Sequence, residues 1–271
     1  MASNIAALKT FKCVVKNITP AKAVDVISSA FSRLGRFLSN PDPRVRESVI
    51  QLLNTICEFN HDVMMSERVI KEDFQVFFGM MRGEDHKLTQ GLCEMFSTLV
   101  SSATQEKYYI IWRQIASEMT PLALELMTRV TSDCAGDCMV IDGASGLLIN
   151  LVLKAYSTTM LEVLIQKLLE YLTLVKDFPK DRLETLLNGI FLTMGMCIHT
   201  AKRRRDPLNH QLLIRIYQES TKVVRSLGVL AMEFIYLGRM VATSRQTAEL
   251  QVQTNSSMHL LWSTCLCWRS V

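Results

Sequence analysis

The chain has 271 residues, 49% of them hydrophobic and 21% charged, with only 11 Gly and 6 Pro. That much apolar material builds a substantial core, and scarce Gly and Pro beside 15 Met favour helix over sheet or disorder. The net charge of +4 is matched by one run, Lys202-Arg203-Arg204-Arg205, so the rest is neutral and lacks the diffuse basic field of a nonspecific nucleic-acid binder.

In chain order, a first helix over about 4–16 carries Ile5, Leu8, Phe11, Val14 and Val15. A second starts near Pro20, with Thr19 as N-cap and proline at the first helical position, where its missing N–H costs nothing. Its spacing buries Val24, Ile27, Phe31, Leu34 and Leu38. Asn40 and Pro41 end it, Asp42 caps the next helix, and Pro43 opens that helix. Another hairpin runs from about Lys71 through Phe74, Phe77, Phe78 and Met81, turns at Gly83-Glu84-Asp85, and continues over 86–100.

Helices over 105–118 and 121–130 follow, the second capped by Thr120. A loop over 132–138 leads to a helix at about 143–156. Helices over 159–176 and 179–200 form one more hairpin, and 208–227 with 228–242 another. No run of alternating β-branched residues bounded by turn signals makes a strand. From Thr243 the chain is polar to Ser257, then aperiodic through Leu260 to Trp268. Residues 1–242 are therefore expected to form one repeat domain and 243–271 an irregular tail.

The repeat lies in the apolar spacing. Val45, Val49, Leu52, Leu53 and Ile56 stand at i, i+4, i+7, i+8 and i+11, one stripe of an α-helix. Leu88, Leu92, Met95, Phe96 and Leu99 repeat it, as do Leu183, Leu187, Ile190, Phe191 and Met194. Ala144, Leu148, Leu151, Val152 and Ala155 form a weaker copy, and Leu227, Ala231, Phe234 and Ile235 a partial one. In the helix before each of the first two stripes, Phe31, Leu34 and Phe37 align with Phe74, Phe77 and Met80. Two helices and their turn thus recur together, as in stacked helical hairpins.

At residues 40–47 the chain resembles a HEAT repeat: an apolar helix, a Pro/Asp-rich turn, then Val45-Arg46 opening the second helix. The family's Arg stands at 46, whereas the matching positions hold Thr89, Ser145 and Glu184, so a stacked Asp–Arg ladder is expected in the first unit only. The resemblance implies an all-α, right-handed HEAT/armadillo-type solenoid of about five hairpins. It implies a scaffold, adaptor or transport-receptor-like surface, in a larger assembly or as a shortened form of a longer solenoid. Second helices of such repeats line the concave face, which nominates Gln51, Asn54, Glu58, Glu94, Thr98, Asn150, Lys154 and Asn188 for partner contact.

Candidate chemistry is sparse. Cys134 and Cys138 form half a zinc site that no second His or Cys pair completes. Asp133, Asp137 and Asp142 lack calcium-loop spacing. Gly143-Ala144-Ser145-Gly146 is not a nucleophile elbow, and the five His lack carboxylate or thiol partners at useful spacing. The expectation is a non-enzymatic protein with no metal or cofactor.

Lys202, Arg203, Arg204 and Arg205 fit a nuclear-import signal or anion patch, or else a solvated loop whose cations suit a helix C-terminus. They also carry the alternative function, a nuclear, chromosome- or nucleic-acid-associated module. Cys265 and Cys267 do not fit the C-terminal prenylation pattern, since position 268 is Trp. The eight scattered cysteines are no secreted disulfide framework, Met1-Ala2-Ser3-Asn4 is no signal-peptide start, and 227–242 is short for a membrane span. The expected setting is intracellular, cytoplasmic or nuclear, with protein partners.

Overall fold

A computed structural model describes residues 2–103, 106–154, 156–206, 208–227, 237–238 and 240–241. These form α1 (Ala2–Asn17), α2 (Pro20–Phe37), α3 (Pro43–Phe59), α4 (His61–Met64), α5 (Phe74–Met81), α6 (His86–Ser102), α7 (Tyr109–Met127), α8 (Cys134–Lys154), α9 (Thr158–Leu174), α10 (Lys180–Arg203) and α11 (His210–Leu227). A π-helical turn, Val69–Asp73, leads into α5. No strand occurs among the described residues.

Helices α1, α3, α6, α8 and α10 pack one on the next as an inner row. The outer helices α2, α5, α7 and α9 each pack against the inner helix that follows them. Among the described residues four complete hairpins result, flanked by α1 and by α11. The chain is an all-α solenoid of HEAT/armadillo type.

The stripes explain this stacking. Val45, Val49, Leu52, Leu53 and Ile56 are buried, as are Leu92, Met95, Phe96 and Leu99, with Leu88 half-buried. The equivalent residues of α10 and the described ones of α8 are buried too. The partial stripe beginning at Leu227, and the tail over 243–271, lie outside the described side chains. The matched outer positions also share depth: Phe31, Phe74, Leu34 and Phe77 are buried, and Phe37 and Met80 half-buried. The Phe31 and Phe77 rings meet edge-on at 6.2 Å, joining successive hairpins. Asp42 caps α3 by accepting from the Arg44 N–H, and Asp85 caps α6 by accepting from the Leu88 N–H, both at 3.0 Å.

Three local expectations are corrected. Val24 is 47% exposed, and Ala23, one position earlier on the turn, takes the buried place. Residues 109–127 form one helix, so Thr120 is not an N-cap; its hydroxyl donates to the Ala116 carbonyl at 2.6 Å. Pro121 cannot donate to the Ser117 carbonyl, but both residues are exposed, so that carbonyl keeps access to solvent. Ile115, Met119, Leu122 and Leu126 stay buried through the break, and their burial overrides the local signal.

The third correction is at α8, which begins at Cys134 rather than near Gly143. The loop expected over 132–138 is mostly helix because Asp137 is 2% exposed and ion-paired, and Gly136 admits the His86 ring. A Cβ on Gly136 would stand 2.6 Å from His86 Cγ. Helix α8 is also long and apolar enough to cross a membrane by length and composition. Here it is packed in the inner row between α6 and α10.

Candidate functional site

A groove of about 720 Å³ runs across the inner row, bounded by α1, α3, α6 and α8. Its polar lining follows from helix periodicity. On α3, Gln51, Asn54 and Glu58 occupy the stripe beside the buried apolar one, and Gln90, Glu94, Ser97 and Thr98 do the same on α6. Helix α8 adds Asp142, Gly143, Gly146 and Asn150. The groove adjoins a second hollow of about 480 Å³ that shares Gln51, Asn54, Gln90 and Glu94.

Six of the eight nominated residues therefore line one groove: Gln51, Asn54, Glu58, Glu94, Thr98 and Asn150. Lys154 ends α8 and is exposed, and Asn188 sits on α10; neither is among the lining residues. Lys12 and Lys16 of α1 were missed because the N-terminal helix has no preceding repeat element to mark it as an inner helix. Gly146 was missed because its contribution is space. A Cβ there would meet no atom within 4 Å outside its own helix.

Internal bonds hold much of this lining. Gln90 Nε2 donates to Glu94 Oε1 at 3.1 Å, Ser101 Oγ to Asn150 Oδ1 at 3.1 Å, and Asn150 Nδ2 to the Gly146 carbonyl at 3.1 Å. The Thr98 hydroxyl donates to the Glu94 carbonyl at 2.9 Å. Asn54 Oδ1 and Asn188 Oδ1 are buried without a hydrogen-bond partner among the described residues. The groove offers amides, hydroxyls and carboxylates for recognition. Among the described residues, no three His, Cys, Asp or Glu side chains converge as a metal site.

A polar chain joins the N-terminal ends of α3, α6, α8 and α10, and beyond Arg46 it runs through residues other than the matched positions 89, 145 and 184. Arg46 pairs with Asp85 at 2.8 Å, linking α3 to the cap of α6. His86 Nε2 lies 3.1 Å from Asp137 Oδ1, and Arg182 Nε donates to Asp137 Oδ2 at 2.7 Å. Arg182 also donates to the Thr131 carbonyl at 2.8 Å and pairs with Asp181. The second arginine thus stands at 182 rather than at the matched position 184, and its aspartate lies in the preceding repeat. Burial opposes ionisation of Asp137, but hydrogen bonds from Thr131 and His86 and the charge of Arg182 hold its carboxyl below the ordinary range.

The basic run is partly structural. Arg204 donates to the carbonyls of Tyr156 and of Leu153, the latter at 3.2 Å, so it caps the end of α8. Arg205 has φ 58°, with its N–H on the Lys202 carbonyl at 3.0 Å and the Asp206 N–H on the Ala201 carbonyl at 3.2 Å. That is a Schellman termination of α10, with arginine where glycine is usual. Cys57, Cys93 and Cys197 are buried free thiols; burial raises all three, Cys93 to about 12. Cys134 is raised to about 11 by its contact with Asp181.

No family model matches the chain, and no curated protein does. Among solved structures it is similar to importin beta crystallised in ammonium sulfate, with TM-score 0.61 and 14% identity. It is equally similar to importin beta crystallised in polyethylene glycol, with the same TM-score and identity. The two matches cover 88% and 89% of this chain, but only 28% and 30% of the importin beta chains. A designed armadillo repeat protein also matches, at TM-score 0.49 and 10% identity, over 88% of this chain and 92% of that one.

Proposed function

We propose that this chain is a non-enzymatic protein-interaction scaffold whose inner-row groove receives a segment of a partner protein. The observation that carries this is the continuous polar groove spanning four successive inner helices, with side chains of α1, α3, α6 and α8 converging on one surface. A solenoid makes such a surface by adding one strip per repeat, so affinity accumulates over several weak contacts rather than at one reacting centre. Its amides and hydroxyls suit main-chain and polar side-chain recognition.

On this reading the repeat array extends over 1–242, the 243–271 tail is separate, and the protein works inside the cell, where its buried thiols stay reduced. A nucleic-acid role draws no support from the groove. Its one strong basic run lies at the end of α10, where Arg204 is engaged in capping.

The test uses Gly146→Trp, which projects a ring into the groove from a position where an added Cβ meets no atom within 4 Å. Peptides selected from a random displayed library against the wild-type chain should lose at least about tenfold in affinity for this variant, while its melting temperature does not fall. Equal binding by a folded Gly146→Trp protein would overturn the groove as the docking site.

A further inference from the structure

Cys134 and Cys138 stand one helical turn apart at the start of α8. Both are partly exposed free thiols, whereas Cys57, Cys93 and Cys197 are buried and Cys13 lies exposed on α1. Helix α10 shows which way the pair faces. The Cys134 thiol donates to the Asp181 carbonyl at 3.9 Å, and the Thr185 hydroxyl donates to Cys138 Sγ at 3.6 Å. Each contact spans 47 residues of sequence, so the two thiols lie on one strip of α8 along the same seam with α10. Neither lines the inner-row groove.

The spacing decides what the pair can hold. Side chains four apart on a helix have Cβ atoms about 5–6 Å from each other. A disulfide needs about 3.5–4.5 Å, so an intact α8 keeps the two sulfurs from joining directly. One ion between them suits the wider gap, because two metal–sulfur bonds of about 2.3 Å span about 4.6 Å. Structural zinc asks for four protein ligands, and among the described residues no third His, Cys, Asp or Glu converges on this pair. Cu(I) asks for less. It is a soft ion that favours thiolates, and two of them satisfy it.

The seam also supports the charged form of the sulfurs. Thr185 donates to Cys138, and a hydrogen bond to a thiolate favours it. The guanidinium of Arg182 acts on Cys134 in the same sense. Asp181 opposes them by holding the Cys134 proton, which an incoming ion has to displace.

We propose that Cys134 and Cys138 form a two-coordinate site for Cu(I) at the seam of α8 and α10. Binding exchanges two S–H bonds for two Cu–S bonds, and both protons leave to solvent. Copper stays at +1, so no oxidant or reductant takes part. The complex carries one net negative charge beside Arg182. The hydrogen bond from Cys134 to the Asp181 carbonyl is given up.

The full chain, reduced and kept free of oxygen, is titrated with Cu(I) in competition with bathocuproine disulfonate, whose absorbance reports the copper it retains. The wild-type chain should withdraw one equivalent. Cys134→Ser and Cys138→Ser, singly or together, should weaken this by at least about a hundredfold. Replacing Cys265 and Cys267 by Ser, the other closely spaced pair of the sequence, should leave it unchanged. A second measurement needs no substitution: one equivalent of Cu(I) should protect Cys134 and Cys138 of the wild-type chain from iodoacetamide, with Cys13 still alkylated. Failure to withdraw copper from the chelator overturns the proposal, as does equal withdrawal by the folded double variant. So does copper that is withdrawn while Cys134 and Cys138 remain open to alkylation.

Discussion

Arg182 Nε lies 2.7 Å from Asp137 Oδ2 across 45 residues of sequence, and both side chains are buried. The pair joins the first turns of α8 and α10, and His86 extends it to α6. Removing one partner leaves the other charged group buried without compensation. Asp137→Ala should therefore cost about 3 kcal/mol or more in urea melts. Combining it with Arg182→Met should cost less than the sum of the two single changes, because they share one interaction. Strict additivity would mean the pair contributes nothing.

The same pair fixes an acid limb. Asp137 is held below its ordinary value of 3.8 in the folded chain, as is Asp42, which accepts bonds from Arg44. A group with a depressed folded pKa adds stability that is complete above the unfolded value and is lost as pH falls through the folded one. The urea midpoint should thus be flat from about pH 7 to 5 and fall below about pH 4. Asp137→Asn should start lower at neutral pH and show a shallower acid limb. A midpoint that rises on acidification would contradict this.

Much of the architecture was legible because burial leaves a period in the chain. Val45 to Ile56, Leu88 to Leu99 and Leu183 to Met194 show their stripes without knowledge of neighbours. The groove followed from the polar residues beside those stripes. What stayed hidden depended on contacts between repeats. Asp137 and Gly136 look like loop residues until Arg182 and His86 are placed beside them, and Pro121 looks like a helix start until the burial of Met119 and Leu122 is known. Arg204 reads as one of four equivalent cations, although only the fold brings it to the end of α8.

Two glycines of the inner row should respond oppositely to alanine. Gly146→Ala adds a Cβ into open space and should stabilise by about 0.5–1 kcal/mol through the helix preference for alanine. Gly189→Ala would set a Cβ 2.2 Å from Ser145 Oγ, where α8 and α10 approach closely, and should cost about 1–3 kcal/mol. Thermal melts of the two variants check this; the same sign for both would mean the approach of α8 and α10 is misplaced.

The end of α10 separates structure from signalling. Arg205→Gly should stabilise by up to about 1 kcal/mol, since glycine tolerates a φ of 58° that arginine adopts at a cost. Arg204→Ala should destabilise by uncovering the carbonyls at the end of α8. A localisation test should therefore replace Lys202, Arg203 and Arg205 and retain Arg204. If the run is an import signal, a fused reporter loses nuclear enrichment; an unchanged distribution makes it a solvated helix end.

Photo-crosslinking compares the two faces of the array most directly. Benzoylphenylalanine would be placed at Gln51, an exposed residue of the groove, and in a second protein at Val163 on α9, which is 57% exposed. With a peptide selected against the wild-type chain, crosslinking should occur from position 51 and not from 163. Crosslinking from 163 with none from 51, in proteins of equal stability, would contradict the assignment of the inner groove as the docking surface.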